Sequence, residues 1–420
     1  MDRRDVLKSS VSGIGAYNTF LSDAQAQGTS HAPKLKITAI RTAGFNKVSH
    51  RFVRIYTDQG VTGTGEFSDE IMAAEIAREF FAPKLVAEGF NPLDIEKITR
   101  WMWSTARLSV FVRGWGGPYL AALSGLDMAL WDLAGKALGV PIYRLMGGRV
   151  RPKVPVYFDI IGGADRAAET IRISGVKMIK GGIDGITRAS TPQHAFDPTR
   201  SASFQVSKYQ LDEIVDYVGK LRAAVGETNM AIEMHASYNV ESAIRIGRAI
   251  APFEPAWIEE PIASVNADAM AEVQRSVPVP VACGENIYTR YDFRPYFEKQ
   301  AMAVAQPDMA KTGGLSEGRK IAAAAEVYGI AVAPHSQAGP YGITAAAHVC
   351  TTIPNLFALE GGRTDTLWGP YSSNQYYQML PRPVYKDGFL ELPEGPGVGI
   401  ELNQDFINEH LLPGQEFPAA

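Results

Sequence analysis

Between residues 154 and 360 the chain repeats one rhythm eight times, and that rhythm constrains the fold more than any other feature. Short apolar runs at 154–158, 176–180, 230–234, 256–258, 279–283, 303–306, 330–333 and 356–359 are separated, for the most part, by alanine-rich amphipathic stretches such as 211–225 and 318–328. Runs of this length suit strands, whereas the stretches between them suit helices that cross back over a sheet. Eight such alternations predict an α/β fold, a closed parallel TIM barrel of the (β/α)8 type.

Three glutamates mark successive strand ends. Glu233, Glu259 and Glu285 are separated by 26 residues twice over, and each closes an apolar run: Ala231-Ile232-Glu233, Trp257-Ile258-Glu259 and Ala282-Cys283-Gly284-Glu285. One strand with its helix takes roughly 30 residues of such a barrel. The spacing therefore brings each carboxylate to a strand's C-terminal end and to the same mouth. Like charges gathered in a dry site need a partner. A hard divalent cation, Mg²⁺, is the natural one, because it takes a few carboxylates and leaves positions for substrate oxygens.

Residues 34–66 alternate in short runs around the turn Asp58-Gln59-Gly60, the pattern of an antiparallel meander. Helical periodicity follows at 71–85, 93–107 and 120–138. In the last of these Leu123, Leu126, Leu130, Trp131, Ala134 and Leu138 share the spacing, and Gly139 and Pro141 stop it. The expected organisation is an α+β domain over 34–150, a barrel domain over 151–362, and a Pro-, Gly- and Tyr-rich segment over 363–420 that returns to the first domain. A polar stretch at 181–208 breaks the barrel rhythm after a strand end, so it is expected to overhang the mouth.

A chain of 420 residues exceeds what one core usually holds. Its net charge of −4 offers no electrostatic case for nucleic acid or an acidic membrane surface as partner. No apolar run is long enough to span a bilayer. Cys283 and Cys350, in apolar contexts of different units, are expected to be small core residues and not a disulfide. The first thirty residues stand apart: Arg3-Arg4, an uncharged stretch over 9–22, then Ala24-Gln25-Ala26. They resemble a twin-arginine export leader, which would make the protein periplasmic, although Asp2 stands where Ser or Thr is usual.

Two further groups continue the series of strand ends. Gln306-Pro307-Asp308 follows Glu285 by 23 residues, and Ala333-Pro334-His335 follows Asp308 by 27. A histidine with an aspartate on the next strand is a base held in place and made more basic by a carboxylate. Glu360 ends the eighth run, where it can hydrogen-bond substrate or a developing enolate, and Lys180 ends the second. A cation that polarises a substrate carboxylate beside such a base suits removal of the proton from the adjacent carbon. The resulting enediolate would be held by Mg²⁺ and cationic donors.

From about residue 34 to its end the chain resembles the mandelate racemase subgroup of the enolase superfamily. The motifs that carry the resemblance begin with Ser124-Gly125-Leu126-Asp127-Met128-Ala129-Leu130-Trp131-Asp132-Leu133-Ala134-Gly135-Lys136 and Leu145-Met146-Gly147-Gly148. They continue with Ile258-Glu259-Glu260-Pro261, Gly284-Glu285-Asn286, Gln306-Pro307-Asp308 with Gly313-Gly314, and Ala333-Pro334-His335. The resemblance implies a modified (β/α)7β barrel with an N-terminal α+β capping domain completed by the C-terminal segment. It implies metal ligation by Glu233, Glu259 and Glu285, a His335–Asp308 general-base dyad, and a homo-oligomer. It also implies cap loops, here near 45–50 and 67–70, that select the substrate.

Departures from the family pattern sharpen the expectation. Racemases of this group usually carry a Lys-x-Lys pair on the second strand, whereas this chain has Lys180-Gly181-Gly182. One clear base favours one-sided proton abstraction with loss of a β-substituent. His235, two residues beyond Glu233 and therefore on the same side of an extended strand, is expected to be the acid that helps hydroxide leave. The arrangement is similar to that of galactonate- and mannonate-type acid-sugar dehydratases, which have Asp-x-His where this chain has Glu233-Met234-His235. The expected function is a Mg²⁺-dependent dehydratase, a hydro-lyase, of a small-molecule sugar acid (an aldonate or aldarate), giving a 2-keto-3-deoxy acid. The alternatives are an epimerase, racemase or cycloisomerase working through the same enediolate, and a sugar-acid-binding protein without catalysis. Arg188, His194 and Tyr209 are candidate specificity residues.

Overall fold

The computed structural model describes residues 33–46, 50–68, 72–108, 117–160, 162–183, 186, 205–363, 379–381 and 383–419. Residues 1–32, which include the expected export leader, Arg188, His194, most of the 181–208 insertion and the tips of both cap loops lie outside the described residues.

The chain begins with a three-stranded antiparallel sheet, β1 (Ile37–Ala43), β2 (Arg51–Thr57) and β3 (Thr62–Phe67), in that order. Helices α1 (Ala82–Glu88) and α3 (Gly117–Leu138) pack against it, and α2 (Ile95–Leu108) packs on α3. Helix α3 is apolar on nearly every face because it is sandwiched, and its residues from Leu120 to Leu130 are all buried. Strand β3 crosses it at very short range. A Cβ on Gly65 would collide with the Gly125 carbonyl, so only glycine lets the two backbones approach this closely.

The barrel strands follow in sequence order: β4 (Val154–Ile160), β5 (Met178–Gly182), β6 (Asn229–Glu233), β7 (Trp257–Glu259), β8 (Val281–Cys283), β9 (Val304–Ala305), β10 (Ala331–Val332) and β11 (Leu359–Arg363). Each pairs in parallel with the next from β4 to β10, and β11 pairs in parallel with β4. The ring closes between β10 and β11 through a Val332–Leu356 bridge and the bonds Phe357 N to Val332 O and Glu360 N to Pro334 O. Helices α4 (Gly163–Ser174), α5 (Lys208–Val225), α6 (Val240–Ile250), α7 (Ala267–Ser276), α8 (Thr289–Glu298), α9 (Gly314–Val327) and α10 (Pro340–Cys350) form the outer layer. Strands β8, β9 and β10 are shorter than the apolar runs at 279–283, 303–306 and 330–333, because those runs also contribute residues to the turns, whereas β4 extends past its run to Ile160. Both cysteines are buried and free, as expected.

The C-terminal segment adds a hairpin, β12 (Val384–Lys386) and β13 (Phe389–Glu391), whose second strand pairs antiparallel with Val154 and Pro155 of β4. Beyond it the chain reaches the first domain. Asp132 accepts from Val398 N and Thr64 N at 2.9 Å each, Gln415 accepts from Gly44 N at 2.7 Å, and the Arg54 guanidinium lies 4.4 Å over the Phe417 ring. Among the described residues no helix is long and apolar enough to cross a membrane.

Candidate active site

Side chains in a strand alternate between faces, and the barrel interior is built in two storeys by that rule. The lower storey is a single buried cluster of Tyr157, Met178, Ala231, Trp257, Ala282, Val304, Ala333 and Ala358, one from each strand or its flank. Tyr157 and Trp257 fill it edge to face, with centroids 5.5 Å apart. Two residues further along each strand stand Asp159, Lys180, Glu233, Glu259, Gly284, Gln306, His335 and Glu360. An apolar floor thus supports a ring of polar and charged groups at the C-terminal ends of the strands, where TIM-barrel sites lie.

Lys180 stands among the carboxylates. Its Nζ is 2.6 Å from Glu259 Oε1, 3.0 Å from Glu360 Oε1 and 3.2 Å from Glu233 Oε2, and all four residues are buried. Burial works against the ammonium, but Glu259, Glu360 and Glu233 outweigh it and hold Lys180 well above its usual pKa. Glu233 and Glu259 are direct register partners on β6 and β7. Burial and then Glu233 push the Glu259 carboxyl up to about 7, against the pull of Lys180. Glu259 Oε2 also accepts from Gln306 Nε2 at 2.6 Å and Trp257 Nε1 at 2.9 Å.

The second cluster centres on His335. Its Nδ1 lies 2.8 Å from Asp308 Oδ2 and its Nε2 lies 2.8 Å from Glu285 Oε2. Asp308 is further fixed by Ala310 N and Gln337 N at 2.8 and 3.0 Å. Burial opposes charge on the imidazole, but Glu285, Glu360 and Asp308 raise its pKa well above the ordinary range. His335 conversely holds both Glu285 and Asp308 low despite their burial.

The three glutamates are not arranged equivalently. Glu259 registers with Ala282, and the interior position of that strand is Gly284, where a Cβ would sit 2.8 Å from the Gln306 backbone. Glu285 therefore stands one residue out of phase, in the turn past β8, and meets His335 instead of the Lys180 cluster. Among the described residues no three His, Cys, Asp or Glu side chains form a ready-made cation cage. The donor chemistry nonetheless fits a hard cation. Glu233 Oε2 is buried with only the Lys180 ammonium, 3.2 Å away, to offset it, and it crowds against Glu259 in a site that lacks water's dielectric. Neutralising Glu285 would also remove the largest influence that keeps His335 protonated.

His235 differs from the extended-strand expectation. Strand β6 ends at Glu233, and His235 lies in a turn with φ +42°, exposed at the rim. The turn forms because Glu233 Oε1 accepts from Met234 N at 2.9 Å and from His235 N at 2.7 Å. Tyr209 is an exposed residue of the first turn of α5. Asp159 is the residue that the sequence reading missed. It is the register partner of Lys180, its pKa is raised by burial, and it senses the charges of Lys180 and His235. The signal was present, since the first apolar run also ends on a carboxylate. Gln306 was noticed within its motif but not as a donor to Glu259.

Comparison with known proteins agrees with this architecture. Residues 26–147 match the model of the mandelate racemase/muconate lactonizing enzyme N-terminal domain, and residues 164–406 match the enolase C-terminal domain-like model. A D-xylonate dehydratase of Haloferax volcanii is 33% identical over 370 residues, covering 86% of this chain and 85% of its own. A D-galactonate dehydratase of Variovorax paradoxus is 32% identical, covering 89% and 94%. The crystal structure of a mandelate racemase/muconate lactonizing enzyme-like protein from Rubrobacter xylanophilus superposes with a TM-score of 0.81 at 35% identity, covering 92% of this chain and 100% of that one. With both domain models matched in order and the two-storey barrel beneath them, this chain belongs to the mandelate racemase/muconate lactonizing enzyme family of the enolase superfamily.

Proposed function

We propose that the protein is a Mg²⁺-dependent dehydratase of an acid sugar, an aldonate or aldarate. The observation that carries the reading is the buried His335–Asp308 pair, 2.8 Å apart, at the same barrel mouth as the Lys180–Glu259–Glu360 cluster. The dehydratases among its relatives, named for D-xylonate and D-galactonate, support the substrate class.

Glu233, Glu259 and Glu285 would hold the cation, which when bound supplies Lewis-acid polarisation of the substrate carboxylate and so acidifies the adjacent C–H. His335, unprotonated at Nε2, takes the C2 proton, while Asp308 accepts from Nδ1 and stabilises the imidazolium that results. Lys180, held cationic by its three carboxylates, donates to the negative charge developing on the substrate. As an ammonium it is a donor and not a second base, which favours elimination over racemisation. His235, at the rim near the half-buried Asp159, protonates the C3 hydroxyl as it leaves. Elimination leaves the C2–C3 enol, which takes a solvent proton at C3 to become the 2-keto-3-deoxy acid.

Proton NMR in D₂O, with Mg²⁺ and a panel of pentonates, hexonates and hexarates, tests the reading. Loss of the C2 proton together with new C3 methylene resonances is expected. Deuterium at C2 with no methylene would replace dehydration by isomerisation, and no change in any acid would remove catalysis altogether.

A further inference from the structure

The loop that carries His335 is tied to the capping domain by one buried side chain. Seven residues, 333–339, separate β10 from α10, and His335 is the third of them. Three carboxylates hold the loop. Asp308 accepts from Gln337 N at 3.0 Å, Glu360 accepts from Ser336 N at 3.1 Å, and Glu66 accepts from Gly339 N at 2.8 Å and Gly342 N at 2.7 Å. The first two belong to the barrel mouth. Glu66 belongs to β3 of the cap and is wholly buried.

Gly339 N and Gly342 N are donors at the start of α10, which that helix cannot satisfy from within. A carboxylate there satisfies both and meets the positive end of the helix dipole. The remaining contacts make the junction rigid. Tyr341 Oη donates to the Thr64 carbonyl at 3.0 Å, and its ring packs edge to face on Phe52 of β2 with centroids 6.1 Å apart. His50 Nδ1 lies 2.9 Å from Glu66 Oε1, so the residue just before β2 meets the same carboxylate. Both strands lead directly into the cap loops near 45–50 and 67–70.

We propose that Glu66 is a positioning residue. By bonding Gly339 N and Gly342 N it fixes the His335 loop against the cap, so that the imidazole is held at its working position only while the cap strands are seated. The inference rests on His335 being the base that takes the C2 proton. The reach of the effect follows from chemistry, since a misplacement of about 1 Å at a catalytic group costs on the order of 10²-fold in rate.

The test measures C2 proton exchange in D₂O and the backbone amide exchange of a peptide spanning 335–345, using the full chain with Mg²⁺. Glu66→Ala should lower kcat by about 30- to 100-fold with KM changed less than about threefold, and should deprotect that peptide. Glu66→Gln, which can still accept from one amide, should recover part of both. Equal kcat in wild type, Glu66→Gln and Glu66→Ala with an intact amide pattern would overturn the proposal. So would a loss that tracks only the folded fraction seen by circular dichroism, with kcat per folded molecule unchanged. Should the alanine variant fail to fold, the glutamine variant alone decides on the same two readouts. His335→Asn run in parallel separates the two claims: if it still exchanges C2, the base assignment fails, whatever Glu66 does.

Discussion

His335 Nε2 lies 2.8 Å from Glu285 Oε2, on the ring nitrogen opposite the one that Asp308 holds. The imidazole is therefore flanked by a group that orients it and by a group that charges it, and only release from Glu285 leaves Nε2 able to accept a proton. His335→Asn should lower C2 exchange by about 10²- to 10⁴-fold, the usual contribution of a general base. Mg²⁺ affinity measured by calorimetry should be retained, because the carboxylates remain. Wild-type exchange in this variant would remove His335 from the mechanism.

Lys180 neutralises three buried carboxylates. Lys180→Met should destabilise the cation-free protein by about 3–5 kcal/mol, because it leaves buried charges uncompensated. Saturating Mg²⁺ should restore part of that loss, by about 2.7 kcal/mol at 100 times Kd. Thermal melts with Mg²⁺ and with EDTA measure both effects. A variant with wild-type melting in EDTA would show that the carboxylates do not depend on this ammonium.

His348 is buried on α10, with Nε2 3.1 Å from the Val398 carbonyl and Nδ1 without a partner. Burial lowers its pKa from 6.5 to about 4. The folded protein then binds fewer protons than the unfolded chain between those values, so its stability is present above about pH 6.5 and is lost as pH falls towards 4. His348→Gln should remove a contribution on the order of 3 kcal/mol from that acid limb. Chemical denaturation of both proteins at pH 7 and pH 4.5 measures it, and identical pH slopes would count against the assignment.

Gly65→Ala should destabilise the cap by about 1–3 kcal/mol, because the added methyl would meet the Gly125 carbonyl of α3 and force the sheet from the helix. Denaturant midpoints report the loss. An unchanged midpoint would mean that β3 and α3 separate at no cost.

The barrel was legible in the chain because eight apolar runs can be counted, and because burial on both faces demands them. The same rule located Lys180, Glu233, Glu259, His335 and Glu360, which end those runs or follow within two residues. It also explains one omission, for the first run was closed at Phe158 when the strand continues through Asp159 to Ile160. Equal spacing misled at one point. Twenty-six residues separate Glu285 from Glu259 as they separate Glu259 from Glu233, yet sequence distance counts helix and turn residues along with strand residues, whereas side-chain direction depends on strand phase alone.

The sequence by itself determined the architecture, the domain order and the chemical character of the barrel mouth, because strand and helix periodicities and the polarity of strand ends are local properties. Only the tertiary structure decided which charges neutralise one another. Lys180 among Glu233, Glu259 and Glu360, Glu285 on His335, and Glu66 on the α10 amides all join residues far apart in the chain. Their pairing is set by register, by the close approach at Gly284, and by the burial of each carboxylate beside the donors that offset its cost, none of which is a property of any single segment.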